Sequence, residues 1–503
     1  MIRTLRPLLL LSVFTALSAC EVGADYMRPT APVSMAFKED QNWTPAAPQE
    51  AAGWENWWTI YSDPTLDNLE KQVDVSNQNL KSAEAAYRAA RAQVGIERGQ
   101  LLPDITAGLS ERRSGSGSGG GTTIIGGTGG SGGVVSTGGR ARTTYQTSLQ
   151  GSWDLDVWGR IRRTVESGVA TAQASAADIA AARLSAQSEL AQDYFQLRAA
   201  DEEARLLTAT IADFRTALQI VQSRYQVGVA NEADVYAAQT QVDTVQAQLI
   251  NVQLTRARFE HAIAVLIGRP ASDFSIVPTG LASTVPVVPA GVPSALLQRR
   301  PDISSAEYAM VAANAQIGVS IAAWYPDLTL TGNLGTTAPS FGSLFNASNA
   351  VWSIGPSLAE TVFNGGARVA ATEQARARYD QTVAAYRQTV LTAFQQVEDQ
   401  LAALRILEQQ AAVEDITVND ARRSEQLILN QYRAGITDFT AVITAQTTRF
   451  NAENAALNVL SQRLTASVLL VAALGGGWTG DRIPQPKTFY SLPMDAAATA
   501  APE

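Results

Sequence analysis

The sequence predicts a mainly α-helical chain that carries a membrane β-barrel portion and is built from two copies of one pattern. Three observations predict it. There is an internal repeat, a pair of proline-free stretches of 67 residues at 160–226 and 367–433, and a set of short segments that alternate apolar and polar residues. Repeats settle architecture ahead of local propensity. Ser82-Ala83-Glu84, Ala92-Gln93-Val94-Gly95 and Pro103-Asp104 return 223 positions on as Ser305-Ala306-Glu307, Ala315-Gln316-Ile317-Gly318 and Pro326-Asp327. Leu197-Arg198, Tyr225, Gly228, Val235, Ala238-Gln239-Thr240 and Gly268 return 207 positions on as Leu404-Arg405, Tyr432, Gly435, Val442, Ala445-Gln446-Thr447 and Gly475. The offset changes once, by 16 residues, and the Gly/Ser-rich tract 114–139 of the first copy accounts for it as a lengthened loop.

Each copy runs in the same order. An Ala-rich helix (79–100; 302–323) stops at a proline, and two strand-like segments follow. In the clearest of them, Tyr145, Thr147, Leu149, Gly151, Trp153, Leu155 and Val157 alternate with a polar set, and the same period of two marks Leu328 to Leu334, Ile105 to Leu109 and Trp352 to Leu358. Segments of about ten residues flanking a polar Gly-rich loop suit tilted transmembrane strands. Four strands cannot close a barrel, and an open edge in lipid leaves backbone groups unpaired, so several chains are expected to share one barrel. Each 67-residue stretch then forms a helix about 100 Å long. Gly228 or Gly435 turns the chain back into a shorter helix, 232–267 or 439–474. Two short helices stacked end to end nearly match one long one, with the junction at mid-height near the proline-rich segment Pro270 to Pro301. Leu184, Leu190, Leu197, Leu206, Ile211, Phe214, Leu218 and Val221 give the long helix an apolar seam for coiled-coil pairing.

The N-terminus has Arg3 and Arg6, an apolar run from Leu8 to Leu17 and then small residues, the layout of a secretory signal peptide. Leu17-Ser18-Ala19-Cys20 resembles a lipobox, and Cys20, the one cysteine of the chain, is expected to be acylated. Glu21 follows it in place of an inner-membrane retention aspartate, which implies the outer membrane. The organisation expected is a signal peptide (1–19), a lipidated segment (20–64), a first repeat (65–270), an equatorial linker (271–301), a second repeat (302–478) and a disordered tail (479–503).

Composition restricts chemistry. A net charge of -9 with no basic stripe argues against nucleic acid as a partner. The chain has one histidine, His261, and no lysine between Lys81 and Lys487, which removes H-E-x-x-H zinc sites and a P-loop across that span. Gly115, Gly117 and Gly120 satisfy G-x-G-x-x-G only inside a low-complexity tract. No catalytic residue, metal or cofactor is expected.

The chain resembles the TolC-like outer membrane efflux proteins, in particular the lipoprotein branch serving resistance-nodulation-division pumps. The motifs that carry the likeness are Gly23-Ala24-Asp25-Tyr26-Met27-Arg28-Pro29, Trp57-Trp58 through Asp63-Pro64, and Asp156-Val157-Trp158-Gly159-Arg160, followed by Arg299-Arg300-Pro301-Asp302-Ile303, Phe363-Asn364-Gly365-Gly366 and Tyr432-Arg433-Ala434-Gly435. The resemblance implies a homotrimer with a shared 12-stranded barrel and a helical periplasmic tunnel, opened at its tip by a periplasmic adaptor and an inner-membrane pump. It leaves type I protein secretion and metal-ion efflux open as alternatives, and a structural coiled-coil lipoprotein as a different class. It places the aperture at Tyr225, Gly228, Asn231, Asp234, Tyr432, Gly435 and Asp438, with Asp234 and Tyr432 as a latch between helix pairs. Ala441, Thr444 and Thr437 depart from the family pattern, and Asp438, with Asn231 opposite it in the repeat, is expected to supply the ring charge instead.

Overall fold

A computed structural model describes residues 21–31, 37–39, 50–115, 142–288 and 296–489. Cys20, most of the Gly/Ser-rich tract and the last residues of the tail lie outside these. The helices are α1 (Pro64–Ser76), α2 (Gln78–Gly99), α3 (Arg160–Gln226), α4 (Glu232–Leu266), α5 (Pro301–Ala322), α6 (Ala367–Arg433) and α7 (Phe439–Ala473); the strands are β1 (Asp104–Ser114), β2 (Arg142–Asp154), β3 (Asp327–Ala338) and β4 (Ala350–Ala359). Both 67-residue helices start and stop where the sequence predicts, because glycine delimits them. Gly159 and Gly366 precede them at φ 80° and 88°, and Gly228 and Gly435 follow them at φ 78° and 77°, a left-handed conformation that costs a Cβ-bearing residue dearly.

The four strands form one antiparallel sheet in the order β1-β2-β3-β4. Its register puts Ile105, Leu109, Leu149, Trp153, Leu334 and Trp352 on one face and Thr106, Ser148, Gln150, Thr331, Asn333 and Ser353 on the other. The β2 strand is shorter than its alternation predicts. Asp156 leaves the ladder to accept hydrogen bonds from the Ile161 and Arg162 amides at 2.9 Å each, satisfying the start of α3. Below the sheet the helices keep the same lateral order. In the upper half α3 packs against α2 and α5, and α5 against α6; in the lower half α3 packs against α4 and α7, and α7 against α6. Sheet and wall therefore form one strip with two free edges. Along those edges apolar side chains stand exposed, among them Ile250 and Leu254 of α4 and Val413 and Ile416 of α6.

The short helices do stack end to end, and the joint is built twice. Asn77 caps α2 by accepting from the Leu80 amide at 3.0 Å, while its own amide nitrogen donates to the Leu266 carbonyl of α4 at 2.8 Å. At the equivalent place Arg300 donates to the Ala473 carbonyl of α7 at 2.8 Å and is held by Asp302 at 2.7 Å. Gly268 and Gly475 let the chains pass: a Cβ on either would lie 2.3 Å from the Ser76 carbonyl oxygen or 2.1 Å from that of Arg299.

The largest core lies at mid-height, where Trp57, Trp58, Leu66, Leu190, Phe195, Ile263, Val397 and Leu464 are fully or nearly fully buried. Burying a large apolar side chain contributes about 1.5–3 kcal/mol. The Asp63-Pro64 pair starts α1, a helix beyond those expected, with Leu66, Leu69 and Val73 along its buried face: Asp63 caps the Thr65 and Leu66 amides and accepts from the Tyr194 hydroxyl at 2.5 Å. Around this core Arg198, Asp201, Arg256 and Glu260 hold the linker, Arg198 donating to the Val277 carbonyl at 2.8 Å and Glu260 accepting from the Ile276 amide at 2.6 Å. In the second copy Glu398 accepts from the Lys38 and Glu39 amides at 2.7 and 3.1 Å, and Arg405 pairs with Glu39. Higher up, buried Arg163 gathers Val22, Gly23 and Asp25.

The tail from 479 on, expected to be disordered, is ordered as far as residue 489. It climbs the seam between α2 and α3, where Ile483 packs on Ala177 and Phe489 on Val94, Val165 and Val169. Gln173 donates to the Pro484 carbonyl and Arg98 to that of Phe489, both at 3.0 Å. Isolated apolar residues among polar ones gave no periodic signal, yet they fit a groove formed by distant helices.

Glu70 is 0 % exposed, and neither carboxylate oxygen has a partner. Burial, then Asp74 and Asp67, push its carboxyl well above the usual range, so the folded chain keeps the proton to higher pH than the unfolded chain does. The unfolded chain releases that proton near the ordinary value of 4.5. Stability is therefore lost as pH rises past that value, at about 1.4 kcal/mol per pH unit until the folded group ionises. Glu70→Gln should melt higher than wild type at pH 8, with the difference closing by pH 4, in thermal unfolding followed by circular dichroism. Arg300→Ala, which breaks a charge-assisted hydrogen bond at the second joint, should cost about 1.5–3 kcal/mol in denaturant unfolding.

Candidate aperture at the helix tips

Both helix turns are closed by the same backbone device. The Gly228 amide donates to the Tyr225 carbonyl at 2.9 Å and the Val229 amide to that of Arg224 at 2.8 Å; Gly435 and Ile436 repeat this on Tyr432 and Gln431 at 3.0 and 2.9 Å. These paired bonds satisfy the last carbonyls of α3 and α6 and reverse the chain within a few residues. The returning helices are capped too. Asn231 accepts from the Ala233 amide at 3.4 Å, and Asp234 reaches back to the Asn231 amide at 3.4 Å, completing a capping box. Asp438 occupies the same place on α7 and accepts from the Ala441 amide at 3.0 Å.

The tertiary structure brings the two turns together through a residue that the sequence reading passed over. Arg224 donates to the Tyr432 carbonyl at 2.8 Å, and its guanidinium lies 4.6 Å from the centre of the Tyr432 ring. Tyr432 is buried and meets Phe439 at 5.5 Å between ring centres. The signal available in the sequence was a basic residue in the last turn of a long helix, replaced by Gln431 in the second copy. Burial pushes the Tyr432 phenol up; Arg224 draws it back and Asp234 raises it again, which puts Asp234 within electrostatic reach of Tyr432. Within this chain, however, the Asp234 carboxylate closes the capping box, and Tyr432 is held by Arg224. Tyr225, Gly228, Asn231, Gly435 and Asp438 all remain exposed at the tip, together with Val227, Val229 and Ile436. Among the described residues no group of three His, Cys, Asp or Glu is placed to hold a metal ion.

A four-stranded sheet continued into a wall of long helices, with a pair of glycine turns at the far end, defines a class: the outer-membrane ducts made of long helices under a strand sheet. The profile of outer membrane efflux proteins matches residues 69–269 and 292–476, and the chain belongs to that family. It is 31 % identical over 466 residues to the probable efflux pump outer membrane protein TtgC of Pseudomonas putida, covering 92 % of this chain and 93 % of that protein. It is 30 % identical over 482 residues to the pyoverdine export outer membrane protein OpmQ of the same species, covering 95 % and 98 %. The outer-membrane channel OprN superimposes with a TM-score of 0.82 at 28 % identity, over 91 % of this chain and 100 % of that one. The open state of the Neisseria gonorrhoeae channel MtrE superimposes at 0.77, also at 28 % identity, over 91 % and 98 %. The chain is thus an outer membrane efflux protein, with its helical part in the periplasm.

Asp438 caps α7, and two substitutions test that role. Asp438→Ala should destabilise the tip by about 1 kcal/mol through loss of the cap, whereas Asp438→Asn should keep it. Protease nicking at the second turn, faster in Asp438→Ala and unchanged in Asp438→Asn, is the expected pattern.

Proposed function

We propose that three copies of this chain form the exit duct of a tripartite efflux pump, passively conducting small molecules outward, and that the duct opens at its tip when a periplasmic adaptor and an inner-membrane pump dock. The observation that carries this reading is the strip with matching sheet and wall order and two free, apolar-lined edges. Such a strip completes its hydrogen bonding in lipid only when edge β1 of one copy pairs with edge β4 of the next. Twelve strands follow from three copies, a number taken from the family. The acyl chains on Cys20 add an anchor, each buried methylene contributing about 0.8 kcal/mol. They would enter the inner leaflet near Trp158, whose carbonyl accepts from the Val22 amide at 3.2 Å.

At the tip, Arg224 and Tyr432 hold the two helix pairs of one copy together, and the half-buried Asp234 and the exposed Asp438 serve neighbouring copies and the passing solute. No residue of the duct acts as a catalyst; direction and selectivity come from the pump. Two measurements test the reading. Mass analysis of the detergent-solubilised protein should give a trimer. A strain lacking the chain should become sensitive to at least some members of a panel of antibiotics, dyes and metal ions, with Arg224→Gln giving a higher single-channel conductance on reconstitution. A monomer in detergent, or unchanged sensitivity to the whole panel, would sink the proposal.

A further inference from the structure

The lumen side of the sheet carries charge only at its two ends. The register places Thr106, Ser148, Gln150, Thr331, Asn333 and Ser353 on the polar face through the middle of the strands, all uncharged. At the periplasmic end the same face carries Asp104, Asp154 and Asp327, the last two 3.6 and 3.9 Å from Arg160. At the outer end it carries Arg112 and Arg142. Arg112 stands opposite Thr144, and Arg142 opposite Ser114, so the two arginines are diagonal neighbours on one face. Both are exposed, and neither has an ion-pair partner among the described residues. The nearby Glu111 and Arg113 point the other way by strand alternation.

Two like charges held as diagonal neighbours repel across a span of about 7–8 Å, well within reach of both guanidiniums. A small multivalent anion between them turns that repulsion into two charge-assisted contacts, because a guanidinium presents a planar fork that matches phosphate or carboxylate oxygens. We infer that Arg112 and Arg142 form an anion-binding pair at the outer mouth of the duct, specific for small solutes bearing phosphate or carboxylate groups. The inference rests on the duct reading, which makes the polar face the lumen. With the aspartates at the inner end, the pair gives the barrel a lengthwise polarity: anions meet repulsion where they enter it and a favourable site where they leave. In a shared barrel the pairs of different copies are separated by more than the screening length of about 8 Å at physiological salt, so each acts as its own site.

Inorganic pyrophosphate is the probe, observed by phosphorus NMR line broadening on the full-length trimer in a phosphorus-free detergent at 50 mM salt. Wild type should broaden the line. The double variant Arg112→Gln/Arg142→Gln should lower the apparent affinity at least about fivefold, while Arg113→Gln, on the lipid side of the same strand, should bind as wild type. Raising the salt to 1 M, where the screening length falls to about 3 Å, should abolish the broadening. Equal binding by the double variant, or an equal loss in Arg113→Gln, overturns the inference and leaves the duct reading intact. A wild-type chain that is not trimeric overturns the duct reading, and this inference with it.

Discussion

An unpaired backbone amide inside a bilayer costs several kcal/mol, and this chain presents two rows of them, on β1 and on β4. That constraint organises the rest. The strands, 10 to 13 residues long, are long enough to cross the hydrocarbon layer when tilted. Each strand runs on through a short connection into the helix below it, so the sheet order is passed down to the wall. Closing the sheet edges therefore closes the tunnel as well. The apolar residues exposed on α4 and α6 belong to the same edges, and they find partners when the strands do.

Duplication supplied the two halves of the strip, and the differences between the copies lie where each half meets something outside the repeat. Asn77 and Arg300 fasten the same joint, with a short arm in the first copy and a long one in the second. Arg198 and Arg405 are equivalent, yet one holds the linker at Val277 and the other holds Glu39 of the N-terminal segment. Arg224 and Gln431 diverge at the tip, where only one of the two turns needs to reach across to the other. A duplicated scaffold of this kind keeps the glycines of its turns, which backbone geometry demands, and varies the side chains that select a neighbour.

The helix limits were readable because left-handed glycines and caps are local: each depends on a few consecutive residues. Hydrophobic alternation located all four strands but overran β2, since Asp156 is recruited by the amides of α3 and that competition cannot be seen in a period of two. The α7 helix has a segment with mean hydropathy of 1.4, apolar enough to cross a membrane by composition, and packing between α6 and α3 gives it a different place. The short helix α1 and the packed stretch of tail up to Phe489 carry weaker signals. In α1 the stripe Leu66, Leu69 and Val73 is regular but short and shared with the buried Glu70, while the apolar residues of the tail are few and irregular and match a groove made by helices far away in sequence.

By itself the sequence determined the duplication, the element lengths, the alternating faces and the turns at Gly228 and Gly435, because these rest on short-range sterics and periodicity. The tertiary structure decided which residues act together. Arg224 finds Tyr432 across 208 positions, and Asn77 finds Leu266 across 189, through the antiparallel return of one helix beside another. It also set Arg112 beside Arg142, since register, and not spacing along the chain, brings like or unlike charges face to face.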